Sequence, residues 1–123
     1  MLPRVLVVDD NEVNRQLIEW ALEGLADVSA LPDGVDCCKT IRATRPDVIF
    51  LDLMMPGCSG FEVLEQMQAQ LPGDISKVVV VTARTDASAR DQVAAFGVAG
   101  WEDKPLSIER IVSRFEALRP ANA

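Results

Sequence analysis

Five side chains in this sequence could share one piece of chemistry. Asp9 and Asp10 follow the apolar run Val5 to Val8. Asp52 follows Val48-Ile49-Phe50-Leu51, Thr82 closes Val78 to Val81, and Lys104 comes shortly after Val98 to Trp101. Three carboxylates held close repel one another, and one would have its pKa raised unless a cation were present. A hard divalent ion suits such a set. Mg²⁺ fits best, because it binds through one or two carboxylates, keeps waters and completes its shell with phosphate oxygens. Lys104 would add a fixed positive charge and Thr82 a hydroxyl donor. A metal, an ammonium and a hydroxyl around a carboxylate make a site for a phosphoryl group. The carboxylate is a competent nucleophile, and aspartyl phosphate is its product. Singly, each residue has an ordinary reading: an Asp after a strand is commonly a helix cap, a Thr there a turn residue, a lone Lys a solvated charge. Their coincidence at one place is what points to chemistry.

That coincidence requires a particular scaffold. Arg4 to Asp9 reads as a first strand, β-branched and apolar. Asn11 is a plausible N-cap for a helix to about Leu25, with Val13, Leu17, Ala21 and Leu25 on one face. Val28 to Leu31 is a second strand and Pro32-Asp33-Gly34 a turn. A second helix follows with Val35, Cys38 and Ile41 inward, stopping before Pro46. Asp47 to Leu53 is a third strand, apolar enough to be buried on both faces. A third helix carries Phe61, Leu64, Met67 and Leu71 and ends at Pro72-Gly73-Asp74. Val78 to Thr82 is a fourth strand. The helix from roughly Ala87 to Phe96 is Ala-rich, with a thin stripe of Ala89, Val93 and Phe96, and Gly97 stops it. Val98 to Trp101 is a fifth strand and Glu102 to Pro105 a loop. Ser107 caps a last helix with Ile108, Ile111, Val112, Phe115 and Leu118 inward. Strict alternation of strands and helices means a parallel sheet covered on both faces. Right-handed crossovers leave few topologies. The expectation is a doubly wound, flavodoxin-like α/β fold of five strands in the order 2-1-3-4-5 with five helices. All strand carboxyl ends then lie on one edge, and that edge carries the five residues.

The bulk properties narrow the options. At 123 residues a single domain, 1–123, is expected. The formal net charge is −7, which argues against direct binding to nucleic-acid phosphates or an anionic membrane. The apolar run near the start is too short for a secretory leader, no run approaches transmembrane length, and a cytoplasmic location is expected. The three cysteines lack metal-binding spacing and read as reduced, buried thiols. There are no histidines, which removes most zinc and catalytic-triad chemistry and any phosphohistidine of the chain's own.

Four motifs together resemble the receiver domain of two-component response regulators, chemotaxis regulators included. They are Val7-Val8-Asp9-Asp10-Asn11, Leu51-Asp52-Leu53-Met54-Met55-Pro56-Gly57 with Gly60 beyond it, Val81-Thr82-Ala83, and Lys104-Pro105. The resemblance covers essentially the whole chain. It implies that Asp52 accepts phosphate from a phosphohistidine on a histidine kinase or phosphotransfer protein. It implies that Asp9, Asp10, Asp52 and the Met54 backbone carbonyl hold Mg²⁺, that Thr82 and Lys104 contact the phosphoryl group, and that the bond before Pro105 is cis. The family usually has Tyr or Phe where Trp101 stands, an aromatic that turns inward as the Thr moves. Trp101 is thus an implied switch residue, with a static aromatic as the alternative. Met54 and Arg84 occupy positions that modulate phosphate lifetime in the family.

On this reading phosphorylation biases a two-state element. The fourth strand and its thinly anchored helix shift, and the face of helix four, strand five and helix five changes for a downstream effector. A Mg²⁺-dependent aspartyl-phosphate phosphohydrolase is the main alternative. It would place a second carboxylate two residues after the nucleophile, where this chain has Met54. A flavodoxin-like cofactor binder would need a phosphate loop where the chain has Asp9-Asp10-Asn11-Glu12. A degenerate receiver acting only as an interaction module is at odds with the complete acidic set.

Overall fold

The computed structural model describes residues 1–84 and 86–121. Five parallel strands form one sheet in the order β2-β1-β3-β4-β5: β1 is Arg4–Val8, β2 Asp27–Leu31, β3 Val48–Leu51, β4 Val78–Thr82 and β5 Gly100–Asp103. The helices are α1 Glu12–Ala21, α2 Cys37–Thr44, α3 Gly60–Gln70, α4 Ala87–Phe96 and α5 Ile108–Leu118. A 3-10 helix, Pro72–Lys77, joins α3 to β4. The anticipated topology is therefore present, with this extra turn where the sequence suggested only a stop.

Successive side chains of a strand point to opposite faces, and the core divides accordingly. Leu6, Val8, Ile49, Leu51, Val78 and Val80 pack on one face with Ile41 of α2, Leu64 and Met67 of α3 and Val93 of α4. Val5, Val7, Val48, Phe50, Val79 and Val81 pack on the other with Ile18 of α1 and Ile111 and Phe115 of α5. All four residues of β3 are buried, each contributing about 1.5–3 kcal/mol of hydrophobic stabilisation. Truncating Phe50 to Ala would cost about 3–5 kcal/mol.

The two N-caps anticipated from sequence are made: Asn11 accepts from the Val13 and Asn14 N–H groups and Ser107 from Arg110. Ser59 caps α3 as well, accepting from Glu62. Gly97 ends α4 at φ 87°, in the left-handed region open to glycine.

Several local expectations are corrected. α1 stops at Ala21, followed by a turn through Gly24. Its inward residue is Ile18, with Leu22 just beyond, whereas Val13 is 70% exposed. The apolar arc of α1 is broad, and the i, i+4 row through Val13 runs along its outer margin. Val35 is exposed because α2 starts only at Cys37, and Cys37 itself turns inward. Ile108 is exposed at the first turn of α5. β5 begins two residues later than the apolar pattern suggests and includes Glu102 and Asp103. Charged residues enter that edge strand because Glu102 finds guanidinium partners on α5.

Candidate phosphoryl-transfer site

Three of the candidate residues stand one step past a strand end and still take part in the ladder. The Asp9 N–H donates to the Leu31 carbonyl at 3.1 Å, and the Asp52 N–H to the Val8 carbonyl at 2.9 Å. The Lys104 N–H donates to the Thr82 carbonyl at 2.9 Å. Backbone hydrogen bonds thus fix where each side chain leaves the sheet. Asp52 is also pressed from below by Gly60. A Cβ at that position would lie 2.4 Å from the Asp52 carbonyl oxygen and 2.7 Å from the Leu53 Cα. Only glycine lets the start of α3 approach the loop so closely.

The side chains converge. Lys104 Nζ lies 3.0 Å from Oδ2 of Asp9 and 3.0 Å from Oδ2 of Asp52. The other oxygen of each carboxylate accepts a backbone N–H, from Asn11 at 2.9 Å for Asp9 and from Met54 at 3.1 Å for Asp52. Asp9 and Asp52 are buried and Asp10 is exposed, and one oxygen from each of the three lies within 4.8 Å of the others. Thr82 is fully buried at the same edge, where its Oγ1 accepts the Arg84 N–H at 3.1 Å. Met54 adjoins the site through its amide and exposes its side chain. The Lys104-Pro105 bond is cis.

The electrostatics follow from this packing. Burial pushes the Asp52 carboxyl up, and the Asp9 charge adds to that. Hydrogen bonds from Lys104 and the Met54 N–H pull the other way without cancelling it. Burial alone would lower the Lys104 ammonium, but its hydrogen bonds to Asp52 and Asp9 outweigh this and raise it. The ammonium is therefore a permanent charge, and the site still holds more negative charge than it neutralises. A hard divalent cation fits that surplus: the donors are all carboxylate oxygens and gather within one ion's reach.

Trp101 sits half-buried. Its indole Nε1 donates to Asp103 Oδ1 at 2.8 Å, and Arg90 of α4 lies over its ring at 5.2 Å from the centroid. Behind it lies an arrangement the sequence did not disclose. The Glu102 carboxylate is buried at 5% exposure and accepts from Arg110 at 2.9 and 2.8 Å and from Arg114. Arg114 also donates to the Trp101 carbonyl at 3.1 Å. The one available sign was the i, i+4 spacing of Arg110 and Arg114, which is common on solvated faces. The Arg84–Asp86 pair was likewise unseen.

The chain's relatives agree with this geometry. A family model described as the response regulator receiver domain matches residues 5–116. The chain is 38% identical over 119 residues to the probable transcriptional regulatory protein TcrX of Mycobacterium tuberculosis, covering 93% of this chain and 48% of that protein. It is 38% identical over 113 residues to hybrid signal transduction histidine kinase D of Dictyostelium discoideum, covering 91% of this chain and 7% of that protein. It thus spans about half or less of these curated relatives. Among solved structures, chemotaxis protein CheY4 of Vibrio cholerae superposes with a TM-score of 0.86 at 26% identity, covering 96% of this chain and 99% of that one. With the sheet order, the gathered aspartates and Lys104 in place, the chain belongs to the receiver domain family of two-component response regulators.

Proposed function

We propose that residues 1–123 form one receiver unit in which Asp52 accepts a phosphoryl group from a phosphohistidine. The donor is a histidine kinase or phosphotransfer protein, since this chain has no histidine to offer. An Asp52 carboxylate oxygen attacks phosphorus, an O–P bond forms and the N–P bond of the donor breaks. The electron pair of that bond goes to the imidazole nitrogen, which then takes a proton from solvent. The product is an acyl phosphate on Asp52.

Asp9, Asp10, Asp52 and the Met54 carbonyl would hold Mg²⁺. When bound, the ion supplies charge neutralisation for the phosphoryl oxygens. Lys104, already 3.0 Å from Asp52, stays protonated and follows the incoming negative charge. Thr82 offers its hydroxyl from β4. The carrying observation is the single ammonium shared by two buried aspartates at the carboxyl edge of the sheet.

The side chain two residues beyond Asp52 is a Met thioether, 55% exposed, which neither accepts nor donates a proton. That disfavours turnover of external phosphate esters and supports a signalling role, with phosphorylation and dephosphorylation confined to Asp52. The downstream effector reads the face of α4, β5 and α5, where Thr82 and Trp101 lie at successive depths. As part of the same proposal, the exchange takes place in the cytoplasm.

Incubation with Mg²⁺ and acetyl phosphate or phosphoramidate, followed by intact mass measurement, tests this. One phosphoryl increment is expected on the parent and none on Asp52→Asn. An increment retained by Asp52→Asn, or none on the parent at millimolar donor, overturns the assignment.

A further inference from the structure

Arg84 stands two residues beyond Thr82 and meets the site described above only through its backbone. Its backbone N–H donates to Thr82 Oγ1 at 3.1 Å. Its guanidinium is engaged elsewhere. Nε donates to Asp86 Oδ1 at 2.6 Å and Nη2 to Asp86 Oδ2 at 3.2 Å. The guanidinium carbon lies 5.4 Å from the ring centroid of Phe61, in the first turn of α3. Asp86 is also the N-cap of α4, its Oδ2 accepting the Ala89 N–H at 3.1 Å. One residue therefore touches the Thr82 hydroxyl through its backbone, the start of α4 through a shared carboxylate, and α3 through an aromatic face.

These contacts matter because α4 has little else. Of its ten residues Ala89 and Val93 are the buried ones. Between α3 and α4 runs a groove walled by Phe61 and Phe96 and rimmed by Glu65, Gln68 and Gln92. An exposed ion pair alone contributes little to holding an element in place. Here the pair is bidentate, its acceptor doubles as a helix cap, and the guanidinium carbon lies over an aromatic ring; lysine cannot reproduce the two-pronged pairing.

We propose that Arg84, Asp86 and Phe61 form a latch that holds α4 in its resting position and is released when the Thr82 hydroxyl is drawn away. If Oγ1 turns toward a phosphoryl group, the Arg84 N–H loses its acceptor and must find another. The loop then shifts, and with it the guanidinium that joins the cap of α4 to Phe61. The trigger rests on the receiver reading; the latch itself does not.

Amide hydrogen exchange of α4 in the unphosphorylated protein tests the latch, and no phosphodonor is used. A failure of Asp52 to accept phosphate would therefore leave the result readable. Arg84→Ala and Phe61→Leu are each expected to speed exchange of the 87–96 amides about two- to fivefold, the span of an exposed cation–π contact. β1 and β3 should be unchanged in Arg84→Ala. Arg84→Lys should behave as Arg84→Ala does, because it keeps the charge and loses the two-pronged pairing with Asp86. The double variant should exchange no faster than the faster single variant. Arg84→Ala removes no buried side chain, so it remains informative if Phe61→Leu loosens the whole fold. Exchange in Arg84→Ala within about 1.5-fold of the parent, below the roughly twofold that the weakest such contact would give, overturns the latch. So does multiplication of the two single effects in the double variant.

Discussion

Replacing Glu102 by Gln should destabilise the protein, and the size and pH dependence follow from its surroundings. The carboxylate is almost wholly buried between β5 and α5, and Arg110 and Arg114 direct three hydrogen bonds at it. Breaking a buried ion pair by removing one partner costs about 3–5 kcal/mol when the remaining charge stays dry. Here the side chains left behind are 61% exposed for Arg110 and 30% for Arg114. Water therefore rehydrates them, which lowers the expected cost to about 1–2 kcal/mol. For a domain of this length that is a fall in Tm of roughly 4–8 °C. Burial alone would push the Glu102 carboxyl up, but the hydrogen bonds from Arg110 and Arg114 more than offset it and hold the pKa below the usual range. A carboxyl whose folded pKa is depressed contributes stability above its unfolded pKa, about 4.3, and loses it as pH falls through the folded value. Urea melts of parent and Glu102→Gln should thus differ by a constant amount from pH 8 to about 5 and converge below about 4. A gap under about 0.5 kcal/mol at neutral pH, the size of an ordinary surface substitution, would refute the reasoning. A gap that widens on acidification would refute it equally.

Three other outcomes are expected. Asp52→Asn should raise stability by about 1 kcal/mol at pH 7.5 without divalent ions, because ionising a buried carboxyl that burial has pushed up costs the folded state. A raised folded pKa favours the fold at low pH, so this advantage should shrink as pH falls toward the unfolded carboxyl range, as chemical denaturation at pH 7.5 and 4.5 would reveal. Gly60→Ala should cost about 2–3 kcal/mol and slow acyl-phosphate labelling of Asp52, since the added Cβ meets backbone and not a flexible side chain; unchanged melting and labelling would contradict the close-approach argument. Burial, with the charges of Cys38 and Cys58 adding, pushes the Cys37 thiol up to about 12. Alkylation of Cys37 by iodoacetamide at pH 8 should therefore be on the order of a thousandfold slower in the native protein than in urea, as peptide mass spectrometry would show.

The sheet was legible because its signal is local and strong. Val5 to Val8, Val48 to Leu51 and Val78 to Val81 are unbroken apolar runs, and all three lie in strands with both faces covered. The site was legible because carboxylates at the ends of such runs have few other reasons to coincide. Less visible were features set by partners distant in sequence. Glu102 and Asp103 read as loop residues, since nothing nearby announces that α5 supplies two guanidinium groups to an edge strand. Val13 and Ile108 were placed inward by helical period, yet both lie in the first turn of their helices and are exposed. Lys77, at the end of the 3-10 helix, pairs with Asp74 at 2.8 Å, a local contact that holds the turn the pattern took for a stop.

The two halves of the site differ in how firmly they are held, and that difference assigns their roles. Asp9 and Asp52 follow strands flanked on both sides by paired neighbours, and each is tied by its own N–H to the adjacent strand. Moving either would break ladder bonds and uncover core side chains on both faces, a cost far above what one new phosphoryl group's contacts supply. Thr82 stands at the boundary. Beyond it lie Arg84, Asp86 and α4, joined by half-exposed polar contacts, and Trp101, turned toward Asp103 and covered by Arg90. Rearrangements there exchange hydrogen bonds with water at little net cost. A charge added at Asp52 would therefore meet a rigid wall in the paired strands and a compliant one in the segment beyond Thr82, in α4 and at Trp101. On the proposed function, what the site transmits would leave through α4 and the edge strand.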